Sequence, residues 1–430
     1  DERPPLSLTS DKSTECYRNW WPDRPMVELV NRSIELLDEL AEATGNAFAL
    51  NRNGYLFATA TAAGAAALER QARATTALGA GELRVHRGRP DDPVWSEPDW
   101  DRPRPTADGA DLFLDPAAIR RRFPGLAADV VAALHARRCG WLSAQQLGMV
   151  WLEQARERGA RLIEGRVTGV EVVAGRVAAV RVARGAGGTV ERIPTRHFVD
   201  AAGPFAGDGA AMVGVELPLF HELHRKVFFD DERRLLPRAS PLVCWNDPVT
   251  VDWSDEERAG LEEDPETRGL VGELPAGVHF RPEGGREGHH AILLWNYHAD
   301  PTERVFPIPE DPLHVPVVLR GVARVAPAFV AYLERGRAPY VDGGYYTKTR
   351  DNRPLIGPLA DPATGRAVEG AWMLCALSGF GIMASPAAGE LLAAHLAGAA
   401  LPDWSRAFLL GRYRDPAYLA SIAGADAGQL

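Results

Sequence analysis

One segment limits the fold more than any other: Ser378-Gly379-Phe380-Gly381-Ile382-Met383-Ala384-Ser385-Pro386, set between the apolar run Ala371 to Ala376 and a helical stretch read from about Pro386 to Ala397. A strand that turns through glycines into a helix brings bare backbone close to whatever lies above it. The helix start then offers unpaired N–H groups and the positive end of its dipole to an anion or an electron-rich carbonyl. As a dinucleotide-binding fingerprint the spacing is poor, G-x-G-x-x-A, and no acidic residue ends a second strand ~20 residues later. A plain tight turn is the competing reading of these glycines taken alone.

The rest of the chain mixes helix and strand signals. Pro25 opens a run in which Val27, Val30, Ile34, Leu37 and Leu40 recur at helical spacing up to Gly45. Ala47 to Leu50 and Tyr55 to Thr59 flank Asn51-Arg52-Asn53-Gly54 and predict a hairpin, and residues 60 to 78 a second helix. Residues 86 to 111, with five prolines, Trp95 and Trp100, predict a surface loop or lid. Ser143, three residues before Gln146, predicts the cap of a helix ending at Gly159. The segments Arg166 to Val173, Arg176 to Ala183 and His197 to Ala201 form a meander that ends in Ala201-Ala202-Gly203. Strand-like runs at Lys226 to Phe229, Val278 to Arg281 and Ala291 to Tyr297 predict a largely antiparallel sheet in the middle of the chain.

Composition narrows the function class. Fifty-eight acids against 48 Lys and Arg give a net charge of -10 over 430 residues, which disfavours nucleic acid and leaves a small molecule as the expected partner. Cys16, Cys139, Cys244 and Cys375 lie far apart, with no spacing for zinc or a disulfide framework, and fit a reducing, cytoplasmic compartment. No apolar run reaches the ~18 residues of a membrane span. His221-Glu222-Leu223-His224 and His289-His290 lack His-Glu-x-x-His spacing and an evident third ligand, so no metal is expected.

The stretch Tyr345-Tyr346-Thr347-Lys348-Thr349-Arg350-Asp351-Asn352-Arg353-Pro354-Leu355-Ile356-Gly357-Pro358, followed about twenty residues on by Ser378-Gly379-Phe380-Gly381, resembles the D-amino-acid oxidase superfamily of glycine oxidase, monomeric sarcosine oxidase and the sarcosine and dimethylglycine dehydrogenases. The run Phe198 to Phe205, with the strand starting at Val167, is similar to that family's second FAD segment. His279 to Gly285 resembles a strand and turn of its substrate domain, and Ser10 to Asn51 the segment after its second strand. The resemblance implies an α/β fold. Its FAD-binding, Rossmann-like domain of glutathione-reductase type would comprise residues 1–45, 141–216 and 343–430. An α+β substrate domain with a mainly antiparallel sheet would comprise residues 46–140 and 217–342. The family's opening G-x-G-x-x-G strand–helix–strand unit has no counterpart, so the FAD-binding domain is expected to lack its first βα unit and the chain to be truncated at its N-terminus.

The same resemblance implies roles for single residues. Glu2, with Asp1 as the other candidate, falls at the ribose-binding acid. Ser10, Ser13, Thr14, Val167, Ala201, Ala202, Gly203 and Phe205 fall along the cofactor, and Gly379, Phe380, Gly381, Ile382 and Met383 at the flavin ring. Arg18 matches an arginine facing flavin and substrate carboxylate, and Tyr346 would sit over the flavin as a cavity wall or hydrogen-bond donor; apart from the resemblance, His298, beside Tyr297 at a strand end, is read as a residue that orients substrate or tunes amine protonation. A surface ion pair, a core tyrosine and a structural histidine are the respective alternatives, and Lys348 is a further, weaker candidate for a carboxylate clamp. Gly344 occupies the position of the flavin-linking cysteine, so FAD is expected to bind non-covalently. The family's oxygen-serving lysine falls near Leu294 and a carboxylate-binding lysine on Met383, which favours a dehydrogenase over an oxidase. The implied function is oxidation of the C–N bond of a secondary or N-methylated amino acid or amine by hydride transfer to FAD. The alternative is a catalytically weak flavoprotein serving assembly or interaction.

Overall fold

The computed structural model describes residues 1–98, 108–185, 188–285, 287–298, 300–333, 339–361 and 364–423. Apolar alternation through the middle of the chain builds a nine-stranded mixed sheet. Its strands run in the order Tyr340–Lys348, Phe220–Asp230, His290–Leu294, His279–Glu283, Leu242–Trp245, Tyr55–Thr59, Ala132–Ala136, Ala110–Phe113 and Leu83–His86. Antiparallel pairing dominates. The exceptions are Leu242–Trp245 on Tyr55–Thr59 and Leu83–His86 on Ala110–Phe113, which run parallel. A second sheet of six strands has the order Phe198–Asp200, Ala367–Cys375, Arg176–Ala183, Arg166–Val173, with Leu355–Ala360 and Val190–Pro194 attached at its side. In it Phe198–Asp200 lies parallel to Ala367–Cys375, so the Ala201-Ala202-Gly203 turn and the Ser378 turn leave the sheet at the same end.

Two helices carry much of the core beside these sheets. Arg24–Thr44 buries Val27, Val30, Ile34 and Leu37, the stripe read from the sequence, and stops at Gly45, whose φ of 63° suits glycine. Gly381–Ala397 packs along it and begins five residues before the proline that the sequence had marked as its start. Pro386 has no N–H and would interrupt a helix in open solution. Here the interruption is repaired from outside: the buried Ser33 hydroxyl donates to Ala384 O and accepts from Ala387 N, and Ser385 Oγ donates to Ile382 O.

Two local expectations change. Ala47 to Leu50 forms no strand, and Asn51 to Gly54 is no hairpin turn. Asn51 and Gly54 donate backbone bonds to Trp141 and Cys139, Arg52 pairs with Asp38, and Asn53 Nδ2 donates to Arg238 O and Ser240 O. Long-range polar partners therefore outweigh the local turn preference. Within residues 86 to 111 the end Ala110 and Asp111 belong to a strand, while Trp95 packs against the rings of Phe113, Phe123 and His135. The middle of that stretch, 99–107 with Trp100, lies outside the described residues.

Candidate active site between the two sheets

The Ser378 turn is bent harder than glycine alone would explain. Ala376 and Ser378, both with side chains, sit at φ of 57° and 46°. Such left-handed conformations cost about 1–2 kcal/mol each and persist where the surroundings over-determine them. Ser378 N donates to Thr347 O, which ties the turn to the long strand Tyr340–Lys348. Opposite the turn, the segment from Thr9 to Glu15 is pinned by two cations: the half-buried Lys226 donates its Nζ to Asp11 O and Ser13 O, and the buried Arg281 donates to Thr14 O.

Between these stretches lies a cavity of about 200 Å³ bordered by Ser10, Ser13, Ala201, Gly203, Gly379 and Ile382. The structure thus brings together the two glycine-bearing turns and the serine segment that the sequence placed at one ligand. Gly381 also lines this cavity, and Ala202 joins two of its wall residues. Small side chains, hydroxyls and a helix start fit the polar edge of a flat, electron-rich heteroaromatic ring. Cys375 borders the same space, but burial pushes its thiol far up and keeps it protonated, so it offers no thiolate for a covalent bond.

A second, smaller cavity of about 50 Å³ adjoins the first, with Tyr346 and Gly379 in the walls of both. Thr14, Arg18, Phe380 and Met383 line it, as does Leu294. Arg18 is buried, its guanidinium 4.1 Å above the Trp21 ring and donating to Trp20 O. A planar cation held this way is oriented before any carboxylate arrives.

The sequence reading missed the polar wall facing Arg18. His224 lines this cavity beside Asn296, and its imidazole stacks on Tyr346 with centroids 3.8 Å apart and planes inclined by 14°. His224 Nε2 lies 3.0 Å from Glu222 Oε2, and Lys348 Nζ donates to both Glu222 oxygens at 3.0 Å. Lys348 is therefore a buried partner of Glu222. Burial lowers the His224 pKa, with Glu222 opposing, so the ring is neutral near pH 7. The register explains the cluster: Glu222 faces Tyr346 and His224 faces Gly344 across the antiparallel pair. Glu222 with His224, and Tyr346 with Lys348, each stand two residues apart, the spacing that puts side chains on one face of a strand. That repeated spacing was the available signal.

Four of the sequence candidates lie elsewhere. Glu2 forms an exposed bidentate pair with Arg166, Val167 is half-buried on the neighbouring strand, and Phe205 stacks on Phe306 between Arg3 and Arg304. His298 is exposed, its ring 4.4 Å from that of Tyr297, and borders neither cavity. Among the described residues one trio, Asp230, His289 and His290, has ligand atoms within 4.8 Å of one another, and it lies outside both cavities.

Asp200, at the strand end before Ala201, is 2% exposed; it accepts the N–H of Ala202 at 3.2 Å, and its Oδ2 finds no well-formed hydrogen bond among the described residues. Burial pushes its pKa up to about 7. The folded value lies above the unfolded one, near 3.9, so the native state loses stability as pH rises from about 4 to about 7. Asp200→Asn is expected to raise stability by roughly 1–3 kcal/mol at pH 8 and to leave it unchanged near pH 4. Urea midpoints at the two pH values check this, and equal midpoints at pH 8 contradict it.

The sequence family described as DAO, FAD dependent oxidoreductase, matches residues 1–395. Solved structures share the fold at low identity. L-proline dehydrogenase from P. horikoshii superposes with a TM-score of 0.70 at 18% identity, covering 96% of this chain and 90% of that one. Glycine oxidase from Geobacillus kaustophilus gives 0.68 at 19%, covering 95% and 90%. Iminodiacetate oxidase from Chelativorans sp. BNC1 gives 0.65 at 16%, covering 95% and 91%. No curated protein matches the chain, and no helix among the described residues is long and apolar enough to cross a membrane.

Proposed function

Because this chain belongs to the DAO family of FAD dependent oxidoreductases, we propose that it oxidises the C–N bond of a secondary or N-methylated amino acid, with the substrate in the cavity between Arg18 and His224. FAD would be held non-covalently, by residues of the Ser378 to Ile382 turn and the Ala201 to Gly203 turn. The chemistry it supplies when bound is acceptance of a hydride from the carbon next to the substrate nitrogen. The observation that carries the reading is the buried, stacked Arg18 guanidinium in the wall of the same small cavity as a neutral histidine, with Tyr346 shared between that cavity and the flavin space.

Each residue then has a task. Arg18 receives the substrate carboxylate in a bidentate pair. With Nε2–H directed to Glu222, His224 keeps Nδ1 as an acceptor and takes the proton of the substrate ammonium. The neutral nitrogen can then push its lone pair into a C=N bond as the hydride leaves, and water hydrolyses the imine to a carbonyl and an amine. Glu222 and Lys348 act through His224 as positioning residues. Tyr346 and Phe380 exclude water from the reacting atoms. No lysine borders this cavity among the described residues, and Leu294 and Met383 fill the walls instead, which supports a dehydrogenase using an acceptor other than oxygen.

Anaerobic mixing of the FAD-loaded protein with a panel of N-methyl amino acids is expected to bleach the flavin absorption. Flavin that no amine reduces would overturn the proposal in favour of an assembly role. His224→Asn is expected to slow reduction about tenfold at pH 7, less than a full general base contributes, because solvent can also deprotonate an amine. The wild-type rate should fall as pH drops below the ordinary histidine range, where His224 takes up a proton. Unchanged reduction across pH 5 to 8 in the variant and wild type alike would remove His224 from the mechanism.

A further inference from the structure

A third cavity, of about 450 Å³, opens directly from the proposed substrate site, with Arg18, Trp21 and His279 in the walls of both. It is far larger than the about 50 Å³ next to Tyr346, which accommodates little beyond the reacting atoms. Its walls are mainly apolar and aromatic: Trp20, Phe57, Leu68, Ala72 and Trp245, drawn from the Arg18 segment, the helix Ala62–Ala77 and the nine-stranded sheet. Among the described residues no Asp or Glu borders either cavity. Besides Arg18, the titratable groups in the wall of the larger cavity are Cys244, whose thiol burial pushes far up and keeps protonated, and His279, whose Nδ1 lies 2.8 Å from Gly277 O and whose burial lowers its pKa to about 4, so both are uncharged near neutrality. The larger space therefore presents one fixed positive charge, at its junction with the small one, no fixed negative charge, and beyond it a mainly apolar surface in which Gln71, Thr75 and Asn246 are uncharged polar groups.

We propose that this space is a specificity subsite, and that the substrate is an amino acid whose carboxylate sits on Arg18 while a large, uncharged, preferentially aromatic substituent fills the cavity walled by Trp20, Trp21, Phe57 and Trp245. The inference rests on the amine-oxidation reading for the identity of the reacting head, but the size and polarity of the tail come from the cavity itself. A cationic tail finds no carboxylate there. An anionic tail has to share Arg18 with the carboxylate of the head. An aromatic tail gains contact with indole and phenyl faces and brings no polar group of its own to be stranded there.

Two measurements on the FAD-loaded protein separate this proposal from the reading it extends. Carboxylates that cannot be oxidised are titrated against the flavin absorption spectrum. 4-Phenylbutyrate is expected to bind at least about tenfold more tightly than acetate, since burying a phenyl group exceeds the free energy of a tenfold change. Reductive bleaching is then compared for sarcosine, N-benzylglycine, N-methylphenylalanine and N-methyllysine, with the two aromatic compounds expected to exceed the others about tenfold or more in kcat/KM. Gln71→Trp and Ala276→Trp fill the cavity from its rim and touch neither Arg18 nor His224. They are expected to abolish the preference for aromatic compounds while acetate binding and sarcosine bleaching persist. Equal binding of acetate and phenylbutyrate overturns the subsite. A uniform slowing of every substrate by the rim variants also overturns it, because the space would then be a passage only. Absence of bleaching by any amine, with tight phenylbutyrate binding retained, sinks the oxidation reading and leaves the subsite standing.

Discussion

Gly379→Ala is expected to weaken retention of FAD by about 10- to 100-fold, the equivalent of the 1–3 kcal/mol that an extra methyl group costs in a closed-packed site. A Cβ at this position would fall 2.3 Å from Tyr346 Cε2 and 2.7 Å from Cζ. The ring has little freedom to move, because it is stacked on His224, and His224 is held by Glu222 and, behind that, Lys348. The turn must move instead, and with Ala376 and Ser378 already at left-handed φ it has little conformational slack. Displacement carries it toward the space bordered by Ala201 and Gly203, where the flavin ring is expected. Gly381→Ala is the comparison within the same turn: its Cβ would meet no protein atom closer than Leu377 Cβ at 3.5 Å, so a loss of FAD there reports contact with the cofactor and not displacement of the turn. Fluorescence titration with FAD checks both. Wild-type affinity in Gly379→Ala would mean that the turn does not contact the cofactor.

The contrast between these two glycines bears on how much a sequence can tell. Ser378-Gly379-Phe380-Gly381 announced a strand, a turn and a helix, and the pairing of Phe198–Asp200 with Ala367–Cys375 brought it beside Ala201 to Gly203 as the order of segments had suggested. Local signals were equally sufficient for Arg24–Thr44, through its apolar period, and for Ala144–Glu157, through Ser143, whose hydroxyl accepts from Gln146 N. Which glycine abuts an aromatic ring is a different matter, because it depends on a strand register between residues 126 apart, as Glu222 and Lys348 are. The same register hides His224: within its own segment it is one of two histidines in a polar strand, and only the partner strand places it under Tyr346. His298 fails for the converse reason. Its place near the end of a strand pointed to the site, but the strand His290–Leu294 ends earlier, and the side chain that lines the cavity is Asn296.

Asp351→Ala is expected to destabilise the protein by about 3–5 kcal/mol at pH 7, the cost of leaving a buried cation without its partner. Asp351 closes the turn that joins Tyr340–Lys348 to Leu355–Ala360, and it is the carboxylate to which the C-terminal segment attaches. Arg412, itself 9% exposed, donates Nε to Oδ2 at 2.7 Å and Nη2 to Oδ1 at 3.0 Å. The hydroxyls of Tyr413 and Tyr418 donate to the two oxygens, and Thr349 Oγ1 and Arg353 N add to Oδ1. Burial opposes ionisation of this carboxyl, but Arg412 and the two tyrosines outweigh it and hold it well below the usual carboxylate range. A folded value below the unfolded one, near 3.9, makes this stabilisation complete above about pH 4 and lost as pH falls through the folded value. The gap between wild type and Asp351→Ala should therefore be full at pH 7 and narrow steadily below pH 4. Asp351→Asn keeps the shape and some acceptor capacity but not the charge, and should fall between the two. Urea unfolding of the three proteins at pH 7 and pH 3 provides the measurement. Coincident midpoints at pH 7 would show that Arg412 finds another partner and that the C-terminal segment is not fastened here.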